Sequence, residues 1–330
     1  MTGSRSIVCT TLLLAAVASN ADPKLDAMDW LSRMAGAARQ LNYAGTFVYR
    51  HADRTETSRV RHLADELGEM EKLESLDGPV REMIRDRDEV WCYMPELKAI
   101  KVDRAQAKRF FPALIADPVK AFKQGYEIKV KGKDRVAGRD CQQIHLEPRD
   151  QFRYGYRLCA DIESGLLLRA NMVRGRDEVI EHFGFTEIRI GQLIIRDTLK
   201  SNFSTENWVR QSPPVAEESG WSVKALPPGF KKIVELKRTL ANRPDRVTQL
   251  LYSDGLTAVS VFIEPRKGEP KATARPSRQG AVSFYSRQIR DYYVVAVGEV
   301  PPLAVEQIAN SVAKDPPRSV PKPTAVERWA

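Results

Sequence analysis

Histidine is scarce in this sequence, four residues among 330, and cysteine is equally so. No H-E-x-x-H, C-x-x-C, G-x-S-x-G, G-x-G-x-x-G or phosphate-loop pattern occurs in it. Each absence removes a chemistry: zinc hydrolysis, thiol redox or zinc-ribbon sites, serine-elbow hydrolysis, dinucleotide and nucleoside-triphosphate binding. After residue 17 no apolar run approaches the ~20 residues that a membrane helix requires.

The histidines that are present do not make up the deficit. Residues 43–63, YAGTFVYRHADRTETSRVRHL, hold His51 and His62. Their period-two alternation predicts a hairpin of strands 44–51 and 56–63 turning near Asp53-Arg54. His51 then lies beside the turn, opposite about Glu56, and His62 opposite about Gly45, roughly 20 Å away. Metal ligands converge within about 2 Å of one point and a catalytic dyad needs hydrogen-bond reach, so this spacing offers neither. His145 and His182 fall on separate predicted strands. The expectation is solvated or core-edge histidines, no metal, no cofactor and no enzyme. The acids of RDRDE (85–89) alternate with arginines, which predicts a solvated sheet face.

The chain opens MTGSRSIVCTTLLLAAVASNADP: Arg5, an apolar run from Ile7 to Val17, then small residues. That is the pattern of a secretory signal over 1–21, cleaved after Ala21 or Ala18. Cys9 precedes the apolar core, unlike an acylated lipoprotein cysteine. Removing Arg5 with the signal takes the formal charge from +9 to +8. A basic exported protein suits an acidic protein or anionic lipid. Nucleic acid fits poorly, because the aromatics are not interleaved with a Lys/Arg stripe. Export also permits a disulfide among Cys92, Cys141 and Cys159, with one thiol left over.

Apolar residues from Leu25 to Leu41 recur at helical spacing, predicting a helix over 24–41. Period-two runs then predict strands at 44–51, 56–64, 68–76, 79–87, 88–94 and 97–103, and again at 125–137, 139–147, 153–161, 165–173, 178–190 and 192–200. Between them, 105–124 reads as two short helices broken by Pro112 and Pro118. A register in which paired residue numbers sum to 300 places Ile144 opposite Tyr156, Leu146 opposite Tyr154, Glu147 opposite Arg153, and Cys141 opposite Cys159. A Cys141–Cys159 bridge follows from that register; three free thiols are the alternative. The aperiodic 204–220 reads as a linker. Beyond it, strands at 221–226, 230–239, 246–252, 256–264, 280–287 and 291–298 and a helix at 301–313 form a smaller unit, 221–314. Its segment 264–280 carries five basic residues against two acids, which predicts a mobile basic loop. The Pro-rich 315–330 reads as a disordered tail.

With catalysis unsupported, a binding surface remains. Phe47, Tyr49, Trp91, Tyr93, Phe110, Phe111, Leu114, Ile115, Phe122 and Tyr126 offer bulky apolar area, either ordinary core or a cavity for acyl chains between a curved sheet and its helices. Arg266, Lys267, Lys271, Arg275 and Arg278 are candidates for lipid phosphates or an acidic partner, or are simply solvated.

Residues 30–63 (WLSRMAGAARQLNYAGTFVYRHADRTETSRVRHL), GEMEKLESLDGPVREMIRD, RYGYRLCADIESGLLLRANMV, and LPPGF followed by LLYSDGLTAVSVFIEP resemble the RseB/MucB family of sigma-E envelope-stress regulators. Cys159 departs from the Trp expected after RYGYRL. The resemblance runs over roughly 24–314 and implies an α+β fold. A large antiparallel half-barrel covered by helices (LolA-like, 22–203) precedes a smaller mixed α/β C-terminal domain. It implies a periplasmic protein that binds the periplasmic domain of an anti-sigma factor of the RseA/MucA type and shields it from site-one proteolysis. Lipopolysaccharide or a mislocalised lipoprotein, sensed through its acyl chains, would release the complex. A homo-oligomer is compatible with that scheme. A lipid or lipoprotein carrier is the rival, and the added C-terminal domain favours regulation.

Overall fold

The computed structural model describes residues 25–87, 89–104, 122–211, 215–239, 246–266 and 276–315. The signal and tail assignments, most of the two helices expected over 105–124, and Phe110, Phe111, Leu114, Ile115, Lys267, Lys271 and Arg275 lie outside the described residues. Of Phe122 only the backbone is described.

Helix α1 (Ala27–Gln40) starts at Asp26, whose carboxylate accepts from the N–H groups of Met28 and Asp29 while Asp29 returns a bond to Asp26 N–H. This reciprocal cap satisfies otherwise orphaned donors. Its apolar stripe, Trp30, Leu31, Met34 and Ala35, packs on Ile144, Leu146, Tyr156 and Leu158 of the sheet that follows. Burying Leu31 and Met34 contributes about 1.5–3 kcal/mol each.

That sheet has twelve strands: β1 (Tyr43–His51), β2 (Arg54–Asp65), β3 (Gly68–Ser75), β4 (Glu82–Asp86), β5 (Glu89–Met94), β6 (Ala99–Arg104), β7 (Tyr126–Val136), β8 (Arg139–Pro148), β9 (Gly155–Asp161), β10 (Leu167–Arg174), β11 (Glu178–Ile190) and β12 (Val209–Gln211). Their order is β12-β6-β5-β4-β3-β2-β1-β11-β10-β9-β8-β7. Among the described strands only β12–β6 is parallel, and β12 does not pair with β7, so the sheet they form is open. A second sheet joins β13 (Val215–Ala216), β15 (Lys231–Thr239), β16 (Arg246–Ser253), β17 (Ala258–Pro265), β18 (Ser277–Gln279), β19 (Val282–Ile289) and β20 (Tyr292–Gly298). Helix α3 (Pro302–Asn310) buries Ala304, Val305, Ile308 and Ala309 against it. Two short strands, β14 (Trp221–Val223) and β21 (Val312–Lys314), pair alongside, and α2 (Phe122–Gly125) leads into β7. β12 and β13 lie inside the stretch read as a linker, one on each sheet.

Three expectations need correction. First, 192–200 is not a strand but an irregular segment with a 3-10 turn at Arg196–Leu199. The Arg196 guanidinium reaches the Asp65 carboxylate and donates to Gly68 O (2.6 Å), holding this segment across the β2–β3 turn. Ile194 and Leu199 then tuck against Leu63, Met70 and Ile84.

Second, both expected registers are two residues out. His51 pairs with Arg54 and His62 with Tyr43. In β8–β9 the sum is 302: Cys141 faces Asp161, Gln143 faces Cys159, and Leu146 faces Tyr156. The Cys141–Cys159 disulfide nevertheless exists, spanning a diagonal that sheet twist closes to a Cα–Cα distance of 5.4 Å. Arg153 does not pair with Glu147; Arg157 does, at 3.1 Å.

Third, the charged face is solvated only in part: Arg87 and Glu89 are exposed, as expected for 85–89, but Arg85 and the charges of the neighbouring strands are covered. His62 is fully buried, stacked on Tyr43 with ring centroids 4.7 Å apart, and its Nδ1 donates to Leu41 O (2.8 Å). On the same face Arg85 meets Glu69 (2.8 Å) and Glu71 (3.7 Å). On the opposite face Lys72, fully buried, meets Glu82 (3.0 Å) and donates to Lys200 O (2.8 Å). Burial without pairing would be prohibitive, and here nearly every charge has a partner.

Candidate functional site

The pleat sends alternate residues to opposite faces. From β1 and β2, Phe47, Tyr49, Glu56 and Ser58 share the inner face; Leu73, Met83 and Cys92 continue it across β3, β4 and β5. On the other side of β1, Phe183 and Glu181 of β11, Ala170 and Met172 of β10 and Tyr156 of β9 complete it. These residues line a cavity of about 400 Å³, to which Glu299 from just beyond β20 also contributes. That volume lies in the range of small-ligand sites, about 300–1,000 Å³. A bulge at Thr46/Phe47, beside Gly45, shapes its floor: a Cβ at Gly45 would meet Glu187 O at 2.4 Å, so the backbones approach closely only because the residue is Gly.

Of the aromatic candidates, Phe47 and Tyr49 line this cavity. Trp91 and Tyr93 do not: one residue off in phase, they face the other side of the sheet, where Arg210 stacks over Trp91 at 4.2 Å. Tyr126 is core, beneath the Arg153 guanidinium (5.4 Å) and edge-on to Tyr156. The remaining members lie outside the described side chains. Sequence reasoning missed Glu181, Glu299, Leu73, Met83, Met172 and Phe183. Among the basic candidates, Arg266 sits 3.7 Å from Asp291, and Arg278 is exposed on β18.

Polar contacts tie the two sheets together. Arg153, almost wholly buried, reaches from the β8–β9 connection to Asp254 (2.6 Å) and donates to Pro228 O (2.6 Å), with Phe230 beneath its guanidinium. Arg238 of β15 donates to Asp103 of β6 (3.1 Å). Glu181 and Glu299 come from opposite sheets into one electrostatic environment. Burial first, then the Glu299 charge, pushes the Glu181 carboxyl up to about 8, against a hydrogen bond from Tyr49. Burial likewise raises Glu299, with His51 opposing. No group of three or more His, Cys, Asp or Glu among the described residues is placed to hold a metal. Chemically the site is a largely apolar pocket with acidic groups in its lining.

An open antiparallel sheet thus carries a pocket at its junction with a second, smaller sheet, and the comparisons place this two-unit fold in a family. Residues 26–207 match the MucB/RseB N-terminal domain and 215–313 the MucB/RseB C-terminal domain. The chain belongs to the MucB/RseB family. It is 32% identical over 311 residues to the sigma factor AlgU regulatory protein MucB of Pseudomonas aeruginosa, covering 92% of this chain and 96% of that one. To the sigma-E factor regulatory protein RseB of Escherichia coli K12 it is 29% identical over 316 residues, covering 93% and 96%. The crystal structure of MucB in complex with MucA(peri) superposes with a TM-score of 0.70 at 31% identity, covering 88% of this chain and all of that one.

Proposed function

We propose that this protein is a periplasmic regulator of a sigma-E-type factor. It binds the periplasmic region of a membrane anti-sigma factor, shields it from a site-one protease, and lets go when lipopolysaccharide or a mislocalised lipoprotein offers an acyl chain. The observation that carries this reading is likeness to MucB along both units, including a MucB solved with MucA(peri) in place. The cavity supplies the sensing element. Phe47 and Tyr49, with Leu73, Met83, Met172 and Phe183, hold the chain. Helices over the sheet would give the large unit, 22–203, its LolA-like half-barrel form, joined through 204–220 to the unit at 221–314. Arg266 and Arg278 of the basic loop face lipid phosphates or the partner.

A ligand shifts such a complex only by binding its free and partner-bound forms unequally. A cavity at a two-sheet junction meets that condition, because filling it changes how the sheets can sit. The test is a pull-down from envelope extract with the tagged mature protein, with and without lipopolysaccharide. Capture of a single-span inner-membrane protein, lost with lipid, is expected. Capture of lipoproteins alone would instead make the protein a carrier.

A further inference from the structure

We propose that a second groove, on the outer face of the large sheet, binds the rings of a neutral glycan, with Trp91 and Tyr93 as stacking platforms. This groove shares no lining residue with the cavity assigned to acyl chains, so the inference goes beyond that reading and stands apart from it.

The groove has a volume of about 490 Å³. Its floor follows from the register of β3, β4 and β5. Met70, Asp86 and Glu89 form one cross-strand row, Ile84 and Trp91 the next, and Glu82 and Tyr93 the one after. Lys200 and Ser201 make a wall. That wall is held down, because Lys72 Nζ donates to Lys200 O (2.8 Å) and Ser201 Oγ donates to Glu82 (2.8 Å). Arg210 of β12 covers the Trp91 ring from 4.2 Å without itself lining the groove. Trp91 and Tyr93 stand two residues apart on one face of one strand, roughly 6.6 Å. Neighbouring rings of one ligand can therefore rest on both.

Three features select the ligand. The lining acids Asp86 and Glu89 are matched by two bases, Arg87 and Lys200, so the groove favours neither sign of charge. Arg210 already holds the cation–π position on Trp91, which makes a cationic ligand redundant. Lastly, the groups without a hydrogen-bond partner among the described residues are of both kinds. The Asp86 and Glu89 carboxylates accept, the Trp91 indole N–H donates, and the Tyr93 hydroxyl does both. A proline-rich peptide brings carbonyl acceptors but few N–H donors, and leaves the carboxylates unmatched. Sugar hydroxyls donate and accept, and the C–H face of a sugar ring suits the electron-rich face of an aromatic one.

The experiment is saturation-transfer difference NMR on the full mature protein with maltotriose and chitotriose, and separately with hexaproline and tetramethylammonium. At least one of the two sugars should receive saturation, strongest at its ring C–H protons. Glu89→Ala, at an exposed position, should cut that signal at least about fivefold, the scale of one lost hydrogen bond to a charged group. Trp91→Ala should cut it at least about tenfold, while Trp91→Phe keeps a platform and most of the signal. Thermal melts identify the folded variants, and the exposed Glu89 site keeps the test decisive if Trp91→Ala fails to fold. No transfer to either sugar, or transfer that survives Glu89→Ala or a folded Trp91→Ala, overturns the inference. Stronger transfer to hexaproline or tetramethylammonium than to both sugars overturns it as well, and gives the groove to a peptide or a cation.

Discussion

Asp254 holds one end of a charge pair whose other end, Arg153, has almost no access to water. Removing one partner of such a pair costs more than the pair itself contributes, because the remaining charge stays buried. Asp254→Ala should therefore lose about 3–5 kcal/mol in urea unfolding. A loss within about 0.5 kcal/mol, the scale of an ordinary surface change, would show that Arg153 finds another partner. Two glutamates should shape the pH dependence in opposite senses. Glu181, raised in the folded state to about 8, gives stability that is complete below about pH 4.5 and lost as pH rises through 8. Glu69 is held down to about 2, by the His62 imidazole first and then by Arg85 and Arg39. Its contribution is present above about pH 4.5 and lost as pH falls through 2. Thermal melts of Glu181→Gln should be flatter than wild type between pH 5 and 8, and those of Glu69→Gln flatter below 4.5. Unchanged slopes would contradict both assignments.

Strands were legible from alternation in the sequence; their registers were not. Both hairpins came out two residues away, and the cause is turn chemistry. Ala52 takes φ +48°, a left-handed conformation seldom adopted by Ala, so no Asn-Gly or Asp-Gly signal marks the tight turn at 52–53. After β8 the chain leaves the ladder: Arg149 N–H donates to Gly125 O, and Arg153 is drawn into the sheet junction. A slip of two keeps every side chain on its own face, which is why Phe47, Tyr49 and the disulfide survived the error. The covered ionic faces could not be read, because their covers come from distant segments. Residues 194–202 close over Lys72 and Glu82, and α1 sends Arg39 to Glu69. Replacing Cys141 and Cys159 together by Ala should cost about 3 kcal/mol, the loop-closure value for a loop of this length. An unchanged denaturation midpoint would show that the β8–β9 pairing holds its register without the bridge.

At the scale of the molecule, the proposed function depends on two sheets that share one cavity. Glu181 and Glu299 stand far apart in sequence and on different sheets, and no local pattern announces that they meet. Gly280 approaches Ala52 closely across the same junction; a Cβ there would come within 3.0 Å of the Ala52 Cβ. A short crosslink between Ala52→Cys and Gly280→Cys, in a Cys92→Ser background, should fix the sheets relative to each other. The linked protein should still bind its partner but no longer release it when lipid is added. Normal release from the linked form would refute transmission by movement at the junction. The most direct measurement is the affinity of the mature protein for the periplasmic segment of the anti-sigma factor from its own genome, with and without saturating dodecanol. A neutral chain that fills the cavity should weaken that affinity at least tenfold. An affinity unchanged while dodecanol is demonstrably bound would contradict the claim that the cavity is the sensor.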